Sequence, residues 1–549
     1  MESQIQNEKP RLVSTGQGFS FLNTVEYKGR LLYSKYNPTR AVESVIEKTD
    51  ILPGTLVVLY SPLLWYGLKK LISKIPEGCK IIAIEADSAL EKIAREKLTE
   101  TGFSDKVKLF NLNNATIIEK EIKSFLSTGS LKRSIRIDFS AGVQFSKELY
   151  DYTALAIQDI IGTFWKNRIT LSKFGRLFSK NLVSNLKKLP SSFLLEDVEK
   201  TVGKPVLVLG AGEGLDTINW EKMDPKAFFI IAVDAALSPL LDRGIIPDAI
   251  VGMESQMAIQ KAYTGTSEKL KGSGITFFAD LSSRYEIVDQ MEKENARIVF
   301  FASRYADGKF FDSLVEDGIL RSFVPPMGSV GLAAFYIALR LRKNESVEIY
   351  TAGLDFSYSV GFTHAKATMA HKSRLSETSR LIPVENIDAA YANGAEWAVS
   401  KDGRKIVTTK LLSSYAKQFA SLFKGCRNVY DASKTGIDLS IGKKTTDGIS
   451  FLPSLSGIIF PEETSQRKER TENFISEEIS ALEKIKSLLS EGKNSVFYKG
   501  INLEEQIKDL LSEREYLYLH FPDGYCYNGG QSFLKRVRAE IDYFLKLLG

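Results

Sequence analysis

Pro205-Val-Leu-Val-Leu-Gly-Ala-Gly-Glu-Gly-Leu-Asp216 is the stretch on which the reading of this chain turns. Its opening residues form an unbroken apolar run, the pattern of a strand covered on both faces in a parallel sheet. Gly210, Gly212 and Gly214 follow at once, and glycine lets a backbone turn tightly and approach a bulky neighbour. Helix-compatible sequence comes next, so the free N–H groups and positive dipole end of a helix would face whatever lies over the turn. Two readings stand at this point: a cradle for a nucleotide phosphate, or a tight strand-to-helix connection without a ligand.

The sequence around this stretch alternates between strand and helix patterns from about 200 to 450. Strands are predicted at 205–209, 228–233, 248–253, 275–279, 298–302 and 347–352, which describes a parallel α/β sheet. Ligands of open α/β sheets gather at the carboxyl ends of the strands. In turn, those ends deliver the glycine turn, Asp234, Glu254 with Ser255, Asp280, Ser303 with Arg304, and Gly353-Leu-Asp355. A single strand-end carboxylate is ordinarily a helix cap. Six consecutive polar ends predict one functional rim. Gly328 and Ser329 open a further helix at Val330, whose first amides form a second candidate anion site, the plain alternative being an ordinary N-cap. Two of the three histidines, His364 and His371, lie in the polar segment Gly361–His371. Histidine titrates near neutrality, so His364, nine residues after Asp355, is the candidate general base.

The first 160 residues hold a second Rossmann-like alternation, with strands predicted at Thr55–Tyr60 and Lys80–Glu85 and a helix from Trp65 to Lys74. The turn after its first strand, Ser61-Pro-Leu-Leu-Trp65, has no glycine cluster, so the dinucleotide fingerprint is absent there. Glu85 reads as a surface carboxylate at a strand end, and this domain as a scaffold or partner-recognition module. Residues 161–200 read as a basic pair of connecting helices with a solvated face, ahead of a break at Pro190. Beyond about 465, helices are predicted at 466–491, 502–515 and 529–548, and the aromatic stretch Tyr516–Tyr527 is expected to pack on a neighbour. The expected division is therefore 1–160, an N-terminal α/β domain; 161–200, a basic helical linker; 201–460, a central catalytic domain; and 461–549, a helical domain.

Composition narrows the function classes. With 549 residues, 44% hydrophobic and 26% charged, the chain is a multi-domain globular protein and not a disordered one. Its 73 basic and 67 acidic residues leave a net charge of only +6, which does not point to nucleic acid. Three scattered cysteines form neither a disulfide framework nor a zinc site, and His364 with His371 lacks a carboxylate at ligand spacing. No run reaches the roughly 18 apolar residues of a membrane helix. A polar N-terminus without an apolar core agrees with a cytoplasmic protein.

Val206–Asp216, Asp234–Asp248, the Gly328-Ser-Val helix start, Gly353-Leu-Asp355 and Thr363-His364, with Asn428–Asp431 and Thr435–Asp438 behind them, together resemble the motility-associated factor (Maf) family of flagellin glycosyltransferases. Its central domain is shared with MptE-like pterin pyrophosphokinases and is similar to bacterial sialyltransferases. The resemblance implies transfer of a nonulosonic acid, pseudaminic or legionaminic in type, from its CMP-activated form to Ser or Thr hydroxyls of flagellin, with inversion and without a required cofactor. In that picture Gly210, Gly212 and Gly214 hold the nucleotide phosphate, and Asp234 and Glu254 contact ribose or base. Ser303 lies on the same rim, and Gly328 and Ser329 hold phosphate or the sugar carboxylate. His364, beside Asp355, takes the proton of the acceptor hydroxyl. An MptE-like rival would use ATP and Mg²⁺, with Asp234, Glu254 and Asp355 as ligands, and a binding-only flagellin assembly factor is the third alternative. Glu213 lies inside the glycine turn, where a phosphate tolerates it only if it points outward or binds a cation.

Overall fold

The computed structural model describes residues 9–15, 22–129, 131–462, 465–491, 497–498, 501–524 and 526–549. Its contacts divide the chain into two compact units, one of Met1–Phe174 with Leu519–Asn528 and the other of Gly175–Tyr518 with Gly529–Gly549.

The larger unit is built on a nine-stranded sheet. Its strand order is 442–443, 429–431, 349–352, 206–209, 229–233, 249–252, 276–280, 297–301, 193–194, and all pairings are parallel. Each of the six predicted central strands is present within two residues of its expected bounds. They were legible because strands buried on both faces are written as continuous Val, Ile, Leu and Phe. From 206–209 the chain proceeds strand by strand to one side, and then returns to place 349–352 on the other. The topological switch point therefore lies between the glycine turn after Leu209 and the Gly353 turn after Ala352, where an open α/β sheet ordinarily opens a ligand crevice. The helix Val330–Leu341 crosses the sheet with Leu332, Ala333, Ala334, Phe335, Ile337 and Ala338 buried.

In this unit the C-terminal helices Ser465–Glu491, Leu503–Ser512 and Gln531–Leu548 fall close to their predicted bounds. The start of the aromatic stretch packs as expected: Tyr516 rests on Phe310 and Phe544, with ring centroids 4.6 and 5.0 Å away, and its hydroxyl donates to Glu478.

In the smaller unit a parallel four-stranded sheet runs in the order 107–111, 80–85, 55–60, 133–138. Ser61, Leu63 and Trp65 all adopt the left-handed backbone (φ 49, 39 and 58°), so the helix expected from Trp65 begins at Leu68. Each such residue costs roughly 1–2 kcal/mol. Burial of Leu63 and Trp65, and a bond from the Trp65 indole to the Ala94 carbonyl, offset that cost. Glu85 is not the surface carboxylate expected from sequence. It is 1% exposed, accepts from the Tyr150 hydroxyl and the Ala86 and Asp87 amides, and desolvation raises its pKa.

The expected pair of basic helices is one helix, Lys147–Leu186, because no proline interrupts it before Pro190. Several cations of this helix and of the turn after it make internal contacts. Arg168 donates to the Leu519 and Phe521 carbonyls within the smaller unit. In the larger unit Arg176 pairs with Glu540 and lies over the Tyr543 ring, and Lys188 reaches Asp289 and Glu292.

Candidate functional site

The glycine turn and the Gly353 turn meet at the switch point, and each is shaped to admit the other. A Cβ on Gly210 would come within 2.6 Å of the Leu354 side chain, and one on Gly212 within 2.8 Å of the Gly353 carbonyl oxygen as well as into Asp355. One on Gly214 would strike Asp355 and Ser433. Gly353 itself is left-handed (φ 73°), a conformation open to glycine at no steric cost. The amides follow the same logic. Gly210 donates to Ala352 O (2.8 Å), Gly212 to Gly353 O (2.9 Å) and Gly214 to the Asp355 carboxylate (2.6 Å). All three amides that sequence assigned to a phosphate are thus engaged with the neighbouring strand end.

Asp355 occupies the turn. It is 3% exposed, its second oxygen has no partner among the described residues, and burial pushes its pKa up to about 7. Behind it Lys401 and Asp431 form a buried ion pair. Ser433 accepts from the Gly353 amide and donates its own amide to Asp431, and the Ile437 amide closes the layer on the Asp355 carbonyl. Lys401, Asp431 and Ser433 lie 46 to 78 residues beyond Asp355 in the sequence; Asp431 closes the Asn428–Asp431 motif, whereas Lys401 and Ser433 gave no local signal.

The remaining strand ends do not form one open rim. Asp234 is buried, accepts from the Tyr263 hydroxyl, and is pushed up to about 7 by desolvation, with the Glu254 charge adding to the rise. Glu254 is exposed and accepts from the Gln256 amide. Asp280 accepts the amides and hydroxyls of both Ser282 and Ser303. Over this half of the edge lie Asn181 and Asn185, both fully buried, which donate to the carbonyls of Ser255, Ser282, Leu281 and Ser283. Ser303 is therefore committed to Asp280 beneath a helix. Ser329 caps the helix at Val330 by accepting from Gly331, and the Gly328 amide donates to Gln418.

What stays open lies one step outward, in the chain that follows Asp355. The Ala365 amide donates to Ala211 O inside the glycine turn (2.9 Å), and the Lys366 amide to Asp216 (2.8 Å). This seats segment 361–368 on the turn. Thr368 then caps the helix Met369–Glu377, on which Ala370, His371 and Arg374 share a face at spacings of three and four residues. Gly361, Phe362, Thr363, His364, Ala370, His371, Arg374 and Val384 line a shallow, open cleft. His364 contacts the Thr363 hydroxyl, and crowding by the loop lowers its pKa although the residue itself is exposed. His371 Nδ1 accepts from the Ala367 amide, so the neutral ring carries its proton on Nε2. Arg374 braces the far wall by donating to the Val384 and Glu385 carbonyls. Glu213 turns away from the glycine cradle to accept from the Ser359 amide, with Arg404 3.7 Å away as its counter-charge.

The structure thus joins His364, His371 and Arg374 beside the glycine turn. Asp355 sits beneath that turn and does not line the cleft, and among the described residues no hydrogen bond links it to His364. Among the described residues, no three His, Cys, Asp or Glu side chains are arranged to hold a metal ion, and no helix is long and apolar enough to cross a membrane. Arg374 escaped sequence reading because a lone charge on a short polar helix looks like a solvated face. Its three-residue spacing from His371 was the available signal.

An uncharacterized protein of Treponema pallidum (strain Nichols) is 30% identical to this chain, over 98% of the chain and 95% of its own length. The chain belongs to the same family as that protein. Residues 180–361 match the model of the 6-hydroxymethylpterin diphosphokinase MptE-like family, which spans the sheet as far as the strand 349–352 and stops at the first residue of the cleft. A Maf glycosyltransferase from Magnetospirillum magneticum AMB-1 aligns with 99% of this chain and 92% of its own, at a TM-score of 0.58 and 12% identity. Both parts of the resemblance read from sequence are present: an MptE-like central domain, and the fold of a Maf glycosyltransferase along nearly the whole chain.

Proposed function

We propose that the chain is a cytoplasmic glycosyltransferase that moves a nonulosonic acid from a CMP-activated donor to Ser or Thr hydroxyls of flagellin. One observation carries this reading: within a Maf-like fold, the open cleft beside the glycine turn gathers His364, His371 and Arg374 with no carboxylate in its lining. Such a donor is anionic at both its sugar carboxylate and its phosphate, and cationic donors suit it at both ends.

In this reading His364 accepts the proton of the acceptor hydroxyl. Desolvation lowers its pKa, which favours the neutral ring able to take a proton. The hydroxyl oxygen bonds to the anomeric carbon as the bond to the CMP phosphate breaks, and one displacement inverts that centre. Asp355 acts as a positioning residue, tying the glycine turn to the end of strand 349–352. A protein acceptor agrees with the exposed apolar side chains Val360, Phe362, Leu381, Ile382, Ile387, Tyr391, Trp397 and Val399 in the segment that builds and follows the cleft.

A second reading, an MptE-like diphosphokinase, is favoured by the match over 180–361. Its metal does not fit the carboxylates assigned to it: Asp234 is bound to Tyr263, Asp355 is closed into the glycine turn, and Glu254 is exposed and bonded to the Gln256 amide. Incubating the full chain with flagellin and CMP-nonulosonate and reading flagellin by intact mass tests the proposal. The expected result is a one-sugar increment per modified hydroxyl, lost in His364→Ala. With a verified donor, no increment rejects the transferase, and AMP release from ATP with 6-hydroxymethylpterin supports the second reading instead. Flagellin binding without either product leaves an assembly factor.

A further inference from the structure

We infer that Arg374 and His371 form an oxyanion subsite that grips the donor by its carboxylate or phosphate and so orients it towards His364. The identity of the donor rests on the transferase reading; the binding of an oxyanion does not. Arg374 is half-buried, and its only protein partners among the described residues are the Val384 and Glu385 carbonyls, with no carboxylate paired to it. Two neutral acceptors leave its charge uncompensated, and a partly desolvated cation without a counter-ion favours an anionic ligand. One helical turn away, the Ala367 amide fixes the His371 tautomer, so Nε2–H is a donor with no protein partner among the described residues. A planar guanidinium and an imidazole N–H on one helix face match the geometry of a carboxylate or phosphate. Gly361, Phe362, Ala370 and Val384 supply apolar walls that strengthen such contacts.

The two sources of the oxyanion are separable by calorimetry on the full chain with three probes: CMP, cytidine and N-acetylneuraminate. Arg374→Met is expected to weaken CMP or N-acetylneuraminate at least tenfold and leave cytidine unchanged, while Arg374→Lys retains part of the affinity. A loss confined to CMP assigns the phosphate, and one confined to N-acetylneuraminate assigns the carboxylate. His371→Asn keeps an acceptor for the Ala367 amide but removes the Nε2 donor, and gives a second, milder variant that is expected to lose affinity for the same probe. Wild-type affinity for both anions in a folded Arg374→Met chain, or no binding of either anion by the wild type, overturns the subsite. Arg374-dependent CMP binding without flagellin modification rejects the transferase and leaves the subsite standing.

Discussion

The sharpest consequence of the geometry concerns Gly212. Replacing it with alanine puts a methyl group into the Asp355 carboxylate and within 2.8 Å of the Gly353 carbonyl oxygen. Overpacking of this kind costs about 1–3 kcal/mol. Any separation that relieves it stretches the Gly212 bond to Gly353 O and the Gly214 bond to the Asp355 carboxylate, at roughly 1–3 kcal/mol for a buried group left unpaired. Gly212→Ala should therefore cost on the order of 2–6 kcal/mol. In an Asp355→Ala background the nearest obstacle is gone while the Gly353 carbonyl remains, so the cost of the same substitution should fall by about 1–3 kcal/mol, a coupling typical of residues in contact. Hydrogen exchange of the peptide 205–216 along a urea series reads this layer without averaging over both units. Additive costs would refute the packing account. So would a Gly212→Ala chain of normal stability that no longer binds CMP, which would return the turn to its role as a phosphate cradle.

Two further outcomes follow from the same layer. Asp355 is raised from 3.8 to about 7, so the folded chain holds its proton more tightly than the unfolded one. Its contribution to stability is complete below about pH 4 and lost as pH rises through about 7, and at roughly 1.4 kcal/mol per pH unit it amounts to an order of 4 kcal/mol. Asp355→Asn should flatten that loss, so its melting-temperature advantage over wild type grows from pH 5 to pH 8; an equal offset at both would discount the buried acid. Ser329→Ala should cost about 1 kcal/mol through loss of the bond from the Gly331 amide, and an unchanged urea midpoint would remove Ser329 from the cap.

Much of the fold was legible because its signals are local. A buried parallel strand such as Phe229–Val233 declares itself in five residues, and Ser329 announces its helix in three. The site was legible only in part. His364 and His371 were marked by residue type, and the glycine turn by its spacing. What the turn is for depended on Asp355, 141 residues away, and sequence could not decide between a ligand and a neighbouring side chain as the object those glycines admit. Glu85 went the same way: the tyrosine that buries it arrives 65 residues later.

These displacements share one physical cause. Polar groups at strand ends must be satisfied when buried, and in this sheet they are satisfied mostly by protein: Asp280 by Ser282 and Ser303, their loops by Asn181 and Asn185, and the glycine amides by the Gly353 turn. A rim closed in this way has its glycine amides already engaged by protein at the switch point itself. The chain after Asp355 instead builds outward on it, with the Ala365 and Lys366 amides anchored to the glycine turn. It carries the Arg374 charge, which has no carboxylate beside it among the described residues, and the His371 donor into solvent reach. In the proposed reading the glycine turn acts as a rigid seat, and the chemistry lies in the cleft it supports. On this argument Gly212 and Arg374 should fail differently: the first by loosening the fold, the second by losing the anion from a fold that stays intact.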